Sequence, residues 1–227
     1  MEYQKISTSN FKHDLLAQFA RVGKALGNGN RLELIEYIAQ AERSVDELAK
    51  LSGLTVANTS QHLQQLRQAG LVLCRKAGLK VFYRLSGDDV ITLLDALRGV
   101  AERHLADVEK LVSTYLSVKD DLEPLPREEL LDRARDGLVT VLDVRPAEEY
   151  AAGHIAGAVN VPLSELEHYL KNINPKQEVV AYCRGPHCLL AFDAVAQLRK
   201  KGLKARRLED GFPEWKTAGL PVDIRTG

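Results

Sequence analysis

The sequence predicts two domains: a mainly α-helical domain with one β-hairpin, followed by an α/β domain with a central parallel sheet. The chain has 227 residues, enough for two modest hydrophobic cores. Helical periodicity dominates its first half, whereas strands alternate with helical patterns in its second half. Between the halves, KDDLEPLP at 119–126 has two prolines, three acidic residues and no periodicity, which is typical of a linker. We therefore predict domains at 1–118 and 127–227.

Composition indicates a globular protein without a membrane partner. Apolar residues make up 45% of the chain and charged residues 27%, and no tract has low complexity. The first residues lack the apolar core of a signal peptide, and no window approaches the roughly 18 apolar residues of a membrane helix. We expect a cytoplasmic protein without a cofactor. Three cysteines in a reducing compartment do not make a disulfide framework, so each is either a core residue or a reactive thiol.

The first half predicts four helices in succession. The first covers 11–26, and the second covers 32–40. A third follows in SVDELAKLSG, where Ser44 and Glu47 fit a capping box and Gly53 fits a helix stop. Thr55 can cap the fourth helix, which stops near Gly70. Two short helices joined by a tight glycine-containing turn predict a helix-turn-helix.

The outward face of the fourth helix is suited to reading DNA. At 100° per residue, Thr59, Leu63, Leu66 and Gly70 share one side, and the opposite side carries alanine, serine and glutamine without a carboxylate. Glutamine can pair bidentately with adenine, and alanine can approach a thymine methyl group. A merely solvated face would normally carry Lys and Glu instead. The candidate base-reading residues are Ala57, Asn58, Ser60, Gln61 and Gln64.

A basic hairpin follows this helix. LVLCRKAGLKVFYRLS has two β-rich runs around a charged tip, which predicts a β-hairpin, or wing, whose basic side chains contact phosphates. From Leu48 through Gly87 the chain has six basic residues and no acidic one, although 31 residues of the whole chain are acidic. A local basic stripe favours a polyanionic partner, here a double-stranded DNA operator. The candidate phosphate contacts are Arg75, Lys76, Lys80 and Arg84.

A long helix is predicted from Asp88 to about Ser117, because apolar residues recur there with helical period. About 30 residues carry more apolar surface than one small core can cover. We therefore predict a homodimer that pairs through the first helix and the 88–117 helix.

The segment from Leu48 to Ser86 resembles the winged helix-turn-helix of the ArsR family, dimeric bacterial repressors that leave their operators when an inducer binds. The run SQHLQQLRQAGLV carries the resemblance, which covers about residues 10 to 118. Many members bind metal through cysteines near the helix-turn-helix or through carboxylate and histidine pairs on the last helix. Here RSVDELA has no cysteine, and His104 with Asp107 is half a site, so we predict no metal. Cys74 is alone in its domain and is interpreted as a core residue.

The second half places a cysteine where a thiolate is favoured. Three predicted strands, at 138–145, 178–184 and 204–210, alternate with helical patterns. Cys183 ends the second strand and precedes a tight loop and a helix, whose N–H groups and dipole favour an anion. Arg184 can add positive charge, and a buried structural cysteine would not explain the polar Gly-Pro loop after it. We therefore predict that Cys183 is a reactive thiol.

Residues 124–225 resemble rhodanese sulfurtransferase domains through VLDVRPAEEYAAGHIAGAVNVP, VVAYCRGPHC and EDGFPEWKTAGLPV, in that order. The resemblance implies that Cys183 attacks a sulfane sulfur, carries it as a persulfide and passes it on, in the loop formed by Arg184, Gly185, Pro186, His187 and Leu189. Phosphatases of this fold need an arginine six positions after the cysteine, where this chain has Leu189. The resemblance also matches Asp143, Arg145, His154 and Trp215, which we interpret as residues that hold the fold.

Two residues of the loop keep open alternatives. His187 either raises the local positive charge or faces solvent. Cys188 either donates an N–H at the helix start or attacks the Cys183 persulfide to form a bridged species.

The sequence thus predicts a transcriptional regulator, a repressor, that senses reactive sulfur through persulfidation of Cys183. The alternative is a sulfurtransferase enzyme that its DNA-binding domain tethers or autoregulates; whether Cys183, Arg184 and Cys188 support turnover is left open. A sulfane-sulfur donor is the expected small-molecule partner.

Overall fold

The computed structural model describes residues 8–116, 124–175 and 177–224. It divides into two compact units, and the chain passes from one to the other between Gly87 and Asp88. We predicted the division at 119–126, and much of that segment lies outside the described residues, so the predicted domain bounds stay a prediction. Within the described residues, no helix is both long and apolar enough to cross a membrane.

The first unit contains the predicted helices and hairpin. Its elements are α1 (Thr8–Leu26), α2 (Gly29–Gln40), β1 (Arg43–Ser44), α3 (Val45–Ser52), α4 (Val56–Gln68), β2 (Val72–Ala77) and β3 (Lys80–Leu85). Helix α2 begins before the predicted Leu32 because the Asn28 side chain accepts a hydrogen bond from Arg31 N at 3.2 Å and caps the helix earlier. Strands β2 and β3 pair antiparallel, with β1 on the outer side of β3.

Local capping fixes the helix-turn-helix as predicted. Ser44 Oγ accepts from Glu47 N at 3.3 Å, and the Glu47 carboxylate accepts from Ser44 N at 2.7 Å, which confirms the capping box. Gly53 ends α3 in the left-handed region at φ 69°, where a side chain would be strained. Thr55 caps α4 by accepting from Asn58 N at 3.2 Å. These turns set the direction of α4, whose inner face, with Leu63 and Leu66, is fully buried.

The second unit begins with two helices where we predicted one. Helix α5 covers Asp89–His104 and α6 covers Ala106–Tyr115. The prediction of a single helix over 88–117 is wrong, because Leu105 between them has an extended backbone, with φ −110° and ψ 103°. The charges fit two helices: Arg103 and His104 end α5, and Asp107 and Glu109 begin α6, each matching its helix dipole.

The rest of the second unit is the predicted α/β domain with a central parallel sheet. In chain order its elements are α7 (Arg127–Arg135), β4 (Val139–Asp143), α8 (Ala147–Ala152), β5 (His154–Ile155), β6 (Val159–Asn160), α9 (Leu166–Tyr169), β7 (Glu178–Tyr182), α10 (Leu189–Lys200), β8 (Ala205–Arg207), α11 (Phe212–Thr217) and β9 (Val222–Asp223). The sheet order is β6-β4-β7-β8, and every pairing in it is parallel. Strand β5 pairs separately with β9.

Strand β7 is central and contributes to cores on both faces of the sheet. Val179, Ala181 and Cys183 belong to one buried cluster, whereas Val180 and Tyr182 belong to the other. This alternation is that of a β-strand buried on both sides. Cys183 thus lies just beyond the carboxyl end of a central parallel strand, where α/β folds build their sites.

Candidate functional site

The structure exposes the polar face of α4. Thr59, Leu63 and Leu66 are buried, which confirms the predicted inner side of this helix. On the other side, Ser60 is partly exposed, and the remaining candidate base-reading residues are exposed: Ala57, Asn58, Gln61 and Gln64. Their role in reading bases stays a prediction.

The hairpin lies beside α4 and shares a cleft with it. Ser60 and Gln64 of the helix line this cleft of about 680 Å³ together with Lys76 and Cys74 of β2. Two candidate DNA contacts from the helix and one from the hairpin therefore line one groove. Cys74, which we interpreted as a core residue, is only half-buried and lines the same cleft.

Of the four basic hairpin residues, Arg75 already has a partner. Its guanidinium donates to Glu42 at 2.9 Å and stacks over the Phe82 ring, 4.8 Å from the centroid. The hydrogen bond with Glu42 raises the pKa of Arg75. Lys76, Lys80 and Arg84 extend from the hairpin as exposed side chains. Since an exposed ion pair contributes little to stability, Arg75 can exchange Glu42 for a phosphate at small cost.

The two cysteines of the second unit are brought together. Cys183 follows β7 and is 1% exposed, and Cys188 is the N-cap residue of α10. The structure joins their sulfur atoms as a disulfide, with the Cα atoms 6.1 Å apart. That Cα separation falls inside the range that a disulfide accepts without backbone movement. The loop of residues 184–188, which we call the cysteine loop, therefore has a backbone conformation that lets Cys183 and Cys188 bond directly.

The loop rests on the segment before α11. Phe212 N donates to Cys183 O at 3.0 Å, and Cys188 N donates across the loop to Gly185 O at 3.1 Å. A Cβ atom at Gly211 would lie 2.5 Å from Arg184 O, so only glycine permits this approach. Gly211 N in turn donates to the Glu214 carboxylate at 3.1 Å. Our candidate set did not include Gly211 or Glu214, although both lie in the closing motif that we quoted.

Arg184 does not supply an uncompensated positive charge. Its guanidinium donates to both carboxylate oxygens of Glu149, at 2.8 to 3.1 Å, and Glu149 is completely buried. A buried carboxylate requires a partner of this kind. The expected contribution of Arg184 to the cysteine site is therefore largely balanced by Glu149, and the contact ties the loop to α8.

The surroundings of His187 bear on the two alternatives that we left open, a local positive charge or a side chain that faces solvent. It is exposed, and its Nε2 lies 3.3 Å from Glu102 Oε1 of α5, in the same compact unit. Partial burial lowers the pKa of His187; Glu102 opposes this shift, and Arg98 and Arg207 add to it. The lowered pKa favours the neutral ring, which adds no full positive charge to the loop. The other loop residues also lie near the surface: Pro186 O accepts from Arg207 at 3.4 Å, and Leu189 is half exposed at the start of α10.

A buried polar network lies at the carboxyl end of β4, beside the loop-bearing strand. Asp143 and Arg145 are both 0% exposed, and Arg145 Nε donates to Asp143 Oδ1 at 3.0 Å. Tyr182 donates to Asp143 at 2.6 Å, and burial raises the pKa of its hydroxyl. His154 and Trp215 are buried as well. Asp143 and Arg145 belong to this buried network, and the fold-holding role of the four motif residues stays a prediction.

Metal binding has no obvious place in the parts of the chain that the structure describes. No group of three or more His, Cys, Asp and Glu side chains there could hold a metal ion. His104 is exposed at the end of α5, and Asp107 is exposed in α6.

Comparison with known proteins identifies both units. Residues 28–73 match the family described as bacterial regulatory protein, arsR family, and residues 126–218 match the rhodanese-like domain. The HTH-type transcriptional regulator Rv0324 of Mycobacterium tuberculosis is 46% identical over 215 residues, which are 95% of this chain and 94% of that protein.

Solved structures resemble the winged helix-turn-helix and the rhodanese-like domain separately. One is the homodimeric winged helix-turn-helix DNA-binding domain of a possible ArsR-family regulator from Mycobacterium bovis, 41% identical, covering 46% of this chain and 94% of that fragment, with a TM-score of 0.40. Another is a rhodanese-related protein from Thermoplasma volcanium, 29% identical, covering 46% of this chain and all of that one, with a TM-score of 0.41. The chain thus belongs to the ArsR family of transcriptional regulators and carries a rhodanese-like domain after its winged helix-turn-helix.

Proposed function

We propose that this regulator is a repressor whose inducer is reactive sulfur. Cys183 accepts the sulfur, and a bond between Cys183 and Cys188 then forms. The observation that carries the proposal is the placement of two of only three cysteines on one loop, close enough to bond, in a chain that also contains a winged helix-turn-helix. A sulfurtransferase needs one cysteine that releases its sulfur. A second thiol at this distance instead provides a stable oxidised state.

The proposed reaction needs no oxidant other than the sulfane sulfur of the donor. The Cys183 thiolate attacks the outer sulfur of thiosulfate, the S–S bond breaks, and sulfite leaves with the electron pair; Cys183 then carries a persulfide anion. The proton of the Cys188 thiol passes to the outer persulfide sulfur, Cys188 Sγ attacks Cys183 Sγ, the S–S bond of the persulfide breaks, and hydrosulfide leaves with the electron pair. Two thiols are oxidised to a disulfide, and the sulfane sulfur is reduced to hydrosulfide. A polysulfide donor follows the same path with a shorter polysulfide as the leaving group.

The surroundings of the loop favour these anionic intermediates. Helix α10 begins at Leu189 with no acidic residue in its first turn, so the positive end of its dipole lies at Cys188. Two buried carboxylates lie near the loop, and each has an arginine partner: Arg184 pairs with Glu149, and Arg98 pairs with Glu214. The site therefore holds a persulfide through backbone dipoles, with no need for a metal or a cofactor.

DNA recognition would use α4 and the hairpin. We propose that Ala57, Asn58, Ser60, Gln61 and Gln64 enter the major groove while the basic hairpin side chains contact phosphates. The regulator would bind its operator as a homodimer, as the M. bovis domain is described to be. Helix α1 supports this assignment because Phe11, Leu16 and Phe19 are each more than half exposed.

Neutralising Lys80 should weaken operator binding without changing its sequence preference. Lys80 begins β3 next to the hairpin tip and is exposed. For Lys80→Gln we expect a fall in affinity at low salt and a slope of log K against log salt smaller by about 1, because one phosphate contact is lost. Fluorescence anisotropy with the chain's own upstream DNA at several salt concentrations measures both. Lys200→Gln, the same charge change in α10 of the other unit, is the control; an equal loss in that variant would show that only net charge matters.

The proposed function is tested by comparing reduced and sulfur-loaded protein on the same DNA. Reduced protein is treated with thiosulfate or polysulfide and desalted, and mass spectrometry identifies the species on Cys183 and Cys188. We expect loading to lower the operator affinity about 5- to 150-fold, the usual range of allosteric coupling. Equal affinity of both forms, together with rapid sulfur transfer to cyanide, would favour the sulfurtransferase enzyme instead.

A further inference from the structure

Helix α5 has two opposite faces with different surroundings. At 100° per residue, Arg98 and Glu102 point to one side, whereas Leu93, Leu97 and Val100 are centred about 150° away. The polar side contacts the rhodanese-like part of the same compact unit, and the three apolar side chains are 39% to 51% exposed. One rigid helix therefore carries both a contact with the cysteine loop and an exposed apolar face.

The first contact with the loop is direct. Glu102 Oε1 lies 3.3 Å from Nε2 of His187, the residue immediately before Cys188. A ring N–H of His187 can donate to the carboxylate at this distance. His187 directly precedes Cys188, so a displacement of Cys188 on forming or breaking its bond to Cys183 would be passed to Glu102 through this contact.

The second contact passes through the support of the loop. Arg98 Nη1 donates to Glu214 at 3.2 Å, and Glu214 is buried. The other oxygen of Glu214 accepts from Gly211 N, whose backbone lies directly on Arg184 and Gly185. Burial raises the pKa of Glu214, whereas Arg98 lowers it and so favours the charged form that holds both partners. Arg98 also donates to Asp95 at 2.9 Å, which orients its guanidinium.

We propose that the bonding state of the cysteine loop changes the position of α5 through two contacts, His187 with Glu102 and Glu214 with Arg98. The apolar face of α5 moves with the helix. The inference rests on the proposed function in one respect, since the signal is sulfur loading at Cys183. Arg98 and Glu102 are positioning residues that do not touch sulfur. Chain continuity links α5 to the hairpin, because only Ser86, Gly87 and Asp88 separate β3 from α5. A shift of α5 therefore acts at the end of the DNA-binding hairpin.

The test is a double variant, Arg98→Met with Glu102→Ala, in the full chain. It removes both contacts, and the single variant Glu102→Ala, at an exposed position, serves if the double variant folds poorly. The matched control is Arg103→Met with Glu109→Ala, which makes the same chemical changes at exposed positions on α5 and α6. After polysulfide treatment, mass spectrometry should find the same species on Cys183 and Cys188 in all proteins.

Two measurements then test the coupling between the cysteine loop and α5. We expect the affinity ratio of reduced to loaded protein on the operator to fall from about 5- to 150-fold in wild type to within about twofold of unity in the double variant, and to persist in the control. Hydrogen exchange of the 89–104 amides, measured without DNA, should change on loading in wild type and not in the double variant. A double variant that loads sulfur and keeps the full affinity ratio overturns the inference and leaves the proposed function intact.

The two ideas fail in different ways. If loading leaves operator affinity of wild type unchanged but alters α5 exchange through Arg98 and Glu102, the proposed function is wrong and the coupling of loop to helix stands. If loading changes neither measurement, both are wrong.

Discussion

Replacing Cys183 by serine should abolish the response of operator binding to sulfur. The variant keeps nearly the same side-chain volume at a position that is 1% exposed, so we expect an intact fold and an operator affinity within about twofold of that of the reduced wild type. Serine forms no persulfide and no bridge, so thiosulfate or polysulfide should leave the affinity unchanged. Anisotropy titrations before and after treatment measure the effect, with circular dichroism to check the fold.

Two further cysteine variants separate the steps. Cys188→Ser should accept sulfur at Cys183 and stop at the persulfide, because no second thiol can displace hydrosulfide. Cys74→Ser should behave as wild type, since Cys74 lies in the other unit and is free. A Cys183→Ser protein that still releases DNA on treatment would contradict the assignment of Cys183, and a Cys74→Ser protein that no longer does would move the sensor to the winged helix-turn-helix.

Removing the carboxylate of Asp143 should destabilise the rhodanese-like domain severely. Asp143→Ala leaves the Arg145 guanidinium buried without its carboxylate and removes the acceptor of the Tyr182 hydroxyl. Breaking a buried pair from one side costs about 3 to 5 kcal/mol of unfolding free energy, a large part of a domain's stability. Urea denaturation followed by the fluorescence of Trp215, the single tryptophan of the chain, reports on this unit.

Two comparisons make that prediction specific. Asp136→Ala, at an exposed residue after α7, should cost less than about 0.5 kcal/mol. Asp143→Ala combined with Arg145→Met should recover part of the loss, because removing both charges avoids the uncompensated one. A loss below about 1 kcal/mol in the single variant would mean that Arg145 finds sufficient compensation at Gly153 O, to which it already donates at 2.8 Å.

Under the proposed function, the arrangement of the second unit would let one loop serve both chemistry and signalling. In a free-standing sulfurtransferase the cysteine loop needs only access to donor and acceptor. Here its far end contacts α5 through His187, and its support contacts α5 through Glu214. Because packed elements tend to have discrete alternative arrangements, a change of one bond in the loop can bias the position of a helix.

The prediction of one long helix at 88–117 failed for an identifiable reason. Apolar residues recur across Leu105 without interruption of the period, and no glycine or proline marks a break there. The charges at Arg103, His104, Asp107 and Glu109 were the available signal, since they complement one helix end and one helix start. Periodicity measures which face is apolar and is insensitive to a single extended residue.

Local signals in the sequence determined most of the fold and the identity of the two domains. The capping box at Ser44, the left-handed stop at Gly53 and the Thr55 cap are contacts between residues three or four apart, so the sequence displays them directly. The same holds for the strand, loop and helix around Cys183, and for the exposed polar face of α4.

Only the tertiary structure decided which distant side chains meet at these elements. Arg184 pairs with Glu149, 35 residues away, and Arg98 reaches Glu214 across 116 residues. No local pattern encodes such contacts, because they depend on how β7, α8, α11 and α5 pack and on the need of a buried carboxylate for a positive partner. The sequence by itself predicted Cys183 as the reactive thiol, and packing decided that its loop would lie against α5.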